Sequence, residues 1–109
     1  MEEDKLVLRR LNDEFRQTGR GGRILITIGI KELGPEFLQE VVTALQRFDD
    51  FKSGHDPYGE HDFGAFTVEG RRVFWKIDYY DRDLVGGSPD PADPEVTVRV
   101  LTVMLAEEY

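Results

Sequence analysis

Between residues 5 and 18 the apolar positions repeat with a helical period. Leu8, Leu11 and Phe15 fall at i, i+3 and i+7, with Val7 beside Leu11 one turn on. Arg9, Arg10, Asp13 and Arg16 fall outside that stripe, on the expected solvated surface. Gly19-Arg20-Gly21-Gly22 ends the helix, because glycine accepts the positive φ of a C-terminal cap. Isoleucine at every second position then predicts a strand from Arg23 to Ile30 with one continuous apolar face. Gly34-Pro35 breaks the chain again. Pro35 and Glu36 suit a helix start, and Phe37, Leu38, Val41, Val42, Leu45 and Phe48 continue it to about residue 48.

A loop from Asp49 to Asp62 follows, rich in Asp, Gly, Ser and Pro and holding both histidines. Phe63 to Val68 and Val73 to Tyr80 read as a hairpin turned at Glu69-Gly70-Arg71-Arg72. In its second strand Val73, Trp75, Ile77 and Tyr79 share the core face, and Phe74, Lys76, Asp78 and Tyr80 share the other. Asp81 to Pro94 is a long loop. Beyond it Val96, Val98, Val100 and Thr102 alternate like a strand, whereas Val100, Leu101, Met104 and Leu105 group like a helical face. The cap-like Asp93-Pro94-Glu95 and the Leu-Met-Leu-Ala-Glu-Glu ending favour a helix over 94–107. The expected architecture is a single α+β domain over 1–109: a small antiparallel sheet of about three strands packed with two to three helices. Trp75, Ile77, Ile26, Ile28, Phe15, Val41, Leu45, Leu101 and Leu105 are its expected core.

The chain has 109 residues, enough for one hydrophobic core. It contains no cysteine, which excludes a disulfide framework, thiolate metal sites and a thiol nucleophile. The apolar runs are too short to span a bilayer. The acidic start Met1-Glu2-Glu3-Asp4 lacks the order of a signal peptide, so a cytoplasmic protein is expected. Net charge is -8 and uneven. Residues 1–23 hold six basic and five acidic side chains, residues 24–70 three and nine, and residues 71–109 five and eight. Such a chain repels phosphate backbones and anionic membranes, so neither nucleic acid nor membrane is an expected partner. A basic protein surface would be attracted instead.

Candidate chemistry concentrates in His55-Asp56-Pro57-Tyr58-Gly59-Glu60-His61-Asp62-Phe63-Gly64. His55, His61 and Asp62 are of metal-ligating types, but their spacing matches no metal signature, and Pro57 and Gly59 prevent a regular helix. The plainer alternative is a turn-rich loop whose side chains bond its own backbone. Asp78, Asp81 and Asp83 form a second acidic group, with Arg71, Arg72, Lys76 and Arg82 close in sequence to pair with it. Asp62, Glu69 and Lys76 make a nuclease-like set by residue type alone. Gly19 to Gly22 with its arginines offers a local grip on an anion, but it precedes a strand and lacks a phosphate-loop ending. Tyr58 and Tyr80 are candidates for exposed aromatic contacts, with Trp75 expected inside. No catalytic residue and no cofactor is assigned.

The strings Asp56-Pro57-Tyr58-Gly59-Glu60-His61-Asp62-Phe63-Gly64, Val73-Phe74-Trp75-Lys76-Ile77-Asp78-Tyr79-Tyr80-Asp81 and Asp90-Pro91-Ala92-Asp93-Pro94, with the ending Arg99 to Tyr109, carry a resemblance. The chain resembles a domain-of-unknown-function family of small acidic bacterial proteins found on plasmids and other mobile elements. The resemblance implies a setting rather than a reaction. What the resemblance implies is a protein of the kind that disarms a host defence, with carboxylates able to occupy a groove that normally holds phosphates. The first functional expectation is thus a non-enzymatic protein-binding inhibitor of a nucleic-acid-targeting defence complex, of the anti-CRISPR or anti-restriction kind. Its partner would be a basic protein surface on a nuclease or effector complex. Asp49, Asp50, Asp56, Tyr58, Glu60, Asp62, Tyr80, Asp81 and Asp83 are the expected contacts. The alternatives are a metal-dependent hydrolase or nuclease built on the His55/His61 loop, and a plasmid-maintenance domain that forms a homodimer through a strand edge.

Overall fold

The computed structural model describes residues 2–51 and 56–109. Helix α1 (Glu2–Thr18) leads into strand β1 (Gly22–Ile26), a single-turn helix α2 (Ile28–Lys31) and helix α3 (Pro35–Gln46). Strands β2 (Phe63–Val68), β3 (Arg71–Tyr80) and β4 (Val98–Leu105) follow, and a 3-10 turn, Ala106–Glu108, closes the chain. The fold is α+β, with four strands in the order β1-β4-β3-β2. The sheet is mixed rather than antiparallel throughout, because β1 runs parallel to β4 while the other two pairs are antiparallel. No helix among the described residues is long and apolar enough to cross a membrane.

The hairpin forms where the sequence places it. Glu69 and Gly70 both take positive φ, which matches the twist of a tight turn between right-twisted strands. On β3, Val73, Trp75 and Ile77 are buried against Phe15 of α1, Val41 and Leu45 of α3, and Leu101, Val103 and Leu105 of β4. Trp75 is fully buried, with Phe48 edge-on at 5.5 Å between ring centroids. Gly64 lies opposite it on β2, and a Cβ there would overlap the indole nitrogen and meet the Phe48 ring at 2.7 Å. Glycine at this position is what lets the tryptophan lie flat against the neighbouring strand.

Two expected elements are corrected. Residues 98–105 form a strand, not part of a helix over 94–107. As β4, this segment pairs on both sides, and six of its eight residues are buried. A central strand with both faces covered carries a nearly continuous apolar run, which blurs the two-residue alternation into something resembling a helical face. Asp93 does accept a backbone N–H two residues on, from Glu95 at 2.9 Å, but the result is a turn, with Val96 bonded back to the Asp93 carbonyl. The β-branched valines then decide for strand.

The strand expected over 23–30 ends at Ile26. Thr27 N–H makes a last bond to the Val103 carbonyl, after which the Glu108 carboxylate accepts from the Thr27 hydroxyl (2.7 Å) and the Gly29 N–H (3.0 Å). A carboxylate at that point holds the start of α2, so the chain coils. Ile30 consequently turns into the core, while Ile28, placed in the core by the alternation, is 68% exposed. Ile26 packs against the core half-buried, and the other expected core residues are buried. Trp75→Ala is expected to lower stability by about 3–5 kcal/mol in urea unfolding. Trp75→Phe should lose under about 2 kcal/mol, because it also removes an indole N–H that has no partner among the described residues.

Candidate functional site

The inner face of α1 is unusual in being mostly polar: Asn12, Phe15 and Arg16 are buried together. Arg16, expected on the surface, lies one turn beyond Asn12 and shares its face. Asn12 Nδ2 donates to the Tyr79 hydroxyl (2.8 Å) and to the Glu60 carbonyl (3.0 Å), while its Oδ1 accepts from Arg99 Nε (2.9 Å). The Tyr79 hydroxyl donates onward to Glu60 Oε1 (3.2 Å). Burial holds this phenol well above its ordinary value, opposed by the Asn12 bond and reinforced by the charges of Asp62 and Glu60, so it stays a proton donor. Burial also pulls the Arg99 guanidinium below its usual value. It remains charged, donates to the Pro91 carbonyl and lies over the Tyr79 ring at 5.3 Å.

The loop 56–62 wraps around this network. Asp56 is buried, and its Oδ1 accepts the His61 backbone N–H (3.0 Å). Gly59 and His61 both take positive φ, and the Gly59 carbonyl accepts from Arg9 Nε (2.7 Å). The His61 imidazole stacks on Phe51, with centroids 3.6 Å apart and planes 2° from parallel. Its Nδ1 meets the Asp13 carboxylate at 2.9 and 3.2 Å, and its Nε2 faces Asp56 Oδ2 at 3.6 Å. Arg16 donates to Asp13 Oδ1 (2.9 Å) and to the Phe48 carbonyl (3.1 Å), with its guanidinium over Phe51 and Trp75. With both ring nitrogens turned to carboxylates, His61 ties the loop to α1. Among the described residues, no group of three or more His, Asp or Glu side chains is arranged to hold a metal ion. His55 lies outside the described residues.

Asp62 emerges from this clasp with its carboxyl pushed up to about 6. Partial burial is the first cause, followed by Glu60 and, with smaller effect, Asp56 and Asp78. The fold thus gathers four carboxylates from the loop and β3. Asp78 is partly compensated by Lys76 at 3.1 Å. Tyr58, 71% exposed, stands on the same loop, and Asp49 and Asp50 are exposed just before it.

The remaining expected contacts belong elsewhere. Tyr80 is half-buried on the face of β3 opposite Tyr79. Asp81 is taken up by its own loop, accepting from the Val85 and Gly86 amides at 3.0 and 3.2 Å, and Asp83 is exposed beyond it. Asn12, Asp13, Arg16 and Arg99 were not singled out as site residues. Asn12 could have been suspected from its place three residues before Phe15 on α1, and Arg99 from being the one cation in an apolar run; Asp13 and Arg16 fall outside the apolar stripe.

A family model matches residues 26–108, from β1 to the terminal 3-10 turn. The chain belongs to DUF3768, a family of proteins of unknown function. The DUF3768 match includes the 56–62 loop, Tyr79 and Arg99, and begins after α1. No curated protein and no solved structure matches the chain.

Because Asp62 holds its proton more tightly when folded than the ordinary 3.8 of a free carboxyl, it lowers folding stability progressively as pH rises from about 4 to about 6. Asp62→Asn should therefore stabilise the protein at pH 7, by about 1 kcal/mol once solvent screening of this half-exposed group is counted. That advantage should vanish near pH 4; urea unfolding at the two pH values tests it. Asn12→Ala, which strands the Arg99 Nε and takes one donor from each of the Tyr79 hydroxyl and the Glu60 carbonyl, should cost about 2–4 kcal/mol in the same assay.

Proposed function

We propose that this DUF3768 member is a non-catalytic binding protein that presents a fixed cluster of carboxylates to a basic protein surface. The observation that carries this reading is the gathering of Asp56, Glu60, Asp62 and Asp78, where partial burial and then the neighbouring charges raise Asp62 to about 6. Like charges held together by rigid packing oppose folding. Their repulsion is relieved when cationic groups approach, so the arrangement favours association with a positive partner. The clasp beneath supplies the rigidity, and Tyr58 supplies an exposed aromatic anchor at its edge.

The chemistry of the partner follows from that of the surface. Spaced carboxylates on a rigid support imitate the phosphates of a nucleic acid, so the preferred target is a groove that ordinarily binds phosphates. A nuclease or effector complex of a host defence system has such a groove, and in that setting the protein acts as an inhibitor. The face formed by Asp49, Asp50, Tyr58, Glu60 and Asp62 is the contact in this reading, with Asp78 beside it.

The test is inhibition of DNA binding by purified restriction and CRISPR effector complexes, for the wild type and for the triple variant Glu60→Gln, Asp62→Asn, Asp78→Asn. The wild type should compete with DNA, and neutralisation should weaken it about tenfold at low salt and flatten its salt dependence. Equal competition by both proteins, with the same salt slope, would remove the electrostatic basis of the proposal.

A further inference from the structure

Away from the 56–62 loop, the face of the sheet turned from the helices carries an opposite feature. β1 pairs with β4 so that Arg23 stands beside Val100, and Tyr80 of β3 pairs with Val98. Because directly paired residues share a face, Arg23, Val98, Val100 and Tyr80 lie on the side opposite Leu101 and Ile77. Two clefts open there. One, of about 400 Å³, includes Arg23, Arg82, Thr97 and the backbone of Gly21 and Gly22 in its walls. The other, of about 310 Å³, is lined by Leu25, Tyr80, Leu84 and Val100, and again by Arg23. The shared arginine makes the clefts neighbours.

Two observations point to an anionic ligand, and a third to an apolar body on it. In a chain with net charge -8, Arg23 and Arg82 are exposed and have no carboxylate partner among the described residues. Asp81, the acid nearest Arg82 in sequence, is turned into its own loop by the Val85 and Gly86 amides. Finally, Leu84 is held at φ 60, in the left-handed region that a leucine adopts only when its surroundings impose it. That strain fixes an apolar side chain at the wall of the second cleft, where Leu25 is also 54% exposed.

We infer that the two clefts form one binding site for a small phosphorylated ligand with a flat apolar body. Arg23 and Arg82 hold the phosphate, since guanidinium forks match its oxygens in paired hydrogen bonds. Leu25, Leu84 and Tyr80 take the ring, and the cleft volumes fall in the range of small-molecule sites. A nucleotide and a simpler aryl phosphate share this chemistry. The site includes no residue of the 56–62 loop and does not depend on the protein-binding proposal; Asp78 shares its face through pairing with Val100.

The test is titration of isotopically labelled protein by NMR with inorganic phosphate, phenyl phosphate, AMP and a 5′-phosphorylated oligonucleotide. Phenyl phosphate or AMP should bind at least about tenfold more tightly than inorganic phosphate, with amide shifts at Arg23, Leu25, Leu84 and Val100. Arg23→Gln and Arg82→Gln should each weaken the aryl ligand about tenfold. Leu84→Ser should weaken the aryl ligand while leaving inorganic phosphate unaffected. The double variant Glu60→Gln, Asp62→Asn should bind all of them as the wild type does. Wild-type affinity in both arginine variants, shifts confined to another face, or tighter binding of the oligonucleotide than of AMP would overturn the inference.

Discussion

One buried amide joins the two halves of this molecule. Asn12 accepts from Arg99 on the central strand and donates to Tyr79 on its neighbour and to the loop at Glu60. A guanidinium taken out of water needs its donors satisfied, and an unmet donor at such a position is more damaging than a met one is helpful. The amide is suited to this because it presents an acceptor and two donors from one short side chain. Its place fixes the azimuth of α1 on the sheet more tightly than apolar contact would, since hydrogen bonds are directional and hydrophobic burial is not. Gly22 allows the same approach from below: a Cβ there would overlap the Arg99 carbonyl and meet the Phe15 ring at 2.7 Å.

From that joint the rest of the site follows in order. Once α1 is set, Asp13 and Arg16 lie where His61 and the Phe51 ring can meet them, and the loop closes around Asp56. Once the loop is closed, Glu60 and Asp62 are forced toward β3 and its Asp78. The aromatic layer of Phe48, Phe51, His61 and Trp75 keeps water from the clasp's lower side. The carboxylates are left at its upper side, only partly solvated. Repulsion among them is tolerated because the clasp below combines apolar packing with the hydrogen bonds of Asn12, Arg16 and His61, and neither contribution depends on the charge of the rim.

The molecule is thereby electrically divided. The loop carboxylates Asp56 and Glu60 gather beside α1 and Tyr79, whereas Arg23 and Arg82, without a carboxylate partner among the described residues, open on the face turned away from the helices. A net charge of -8 describes neither surface. Overall charge sets long-range steering, whereas recognition at contact distance depends on which side chains already have a partner within the fold.

Local pattern determined much of the architecture. The periods of α1, α3 and the β2–β3 hairpin, the turn at Glu69-Gly70 and the burial of Trp75, Phe15, Val41 and Leu45 depend on nearest neighbours and solvent alone. The acidic loop was recognisable by composition, and so was the absence of any cysteine chemistry. The tertiary structure decided the remainder. Residues 98–105 became a strand because β1 and β3 both bond to them, a demand made by segments that end at Ile26 and Tyr80, well before Val98 in sequence. Ile28 was turned out and Ile30 in because Glu108, at the other end of the chain, caps Thr27 and Gly29. Arg16, Arg99 and Asn12 went inside because each could satisfy the others or a backbone carbonyl there. Periodicity reports which side chains avoid water; which polar groups can leave it together is a property of pairs, and pairs exist only once the chain has folded.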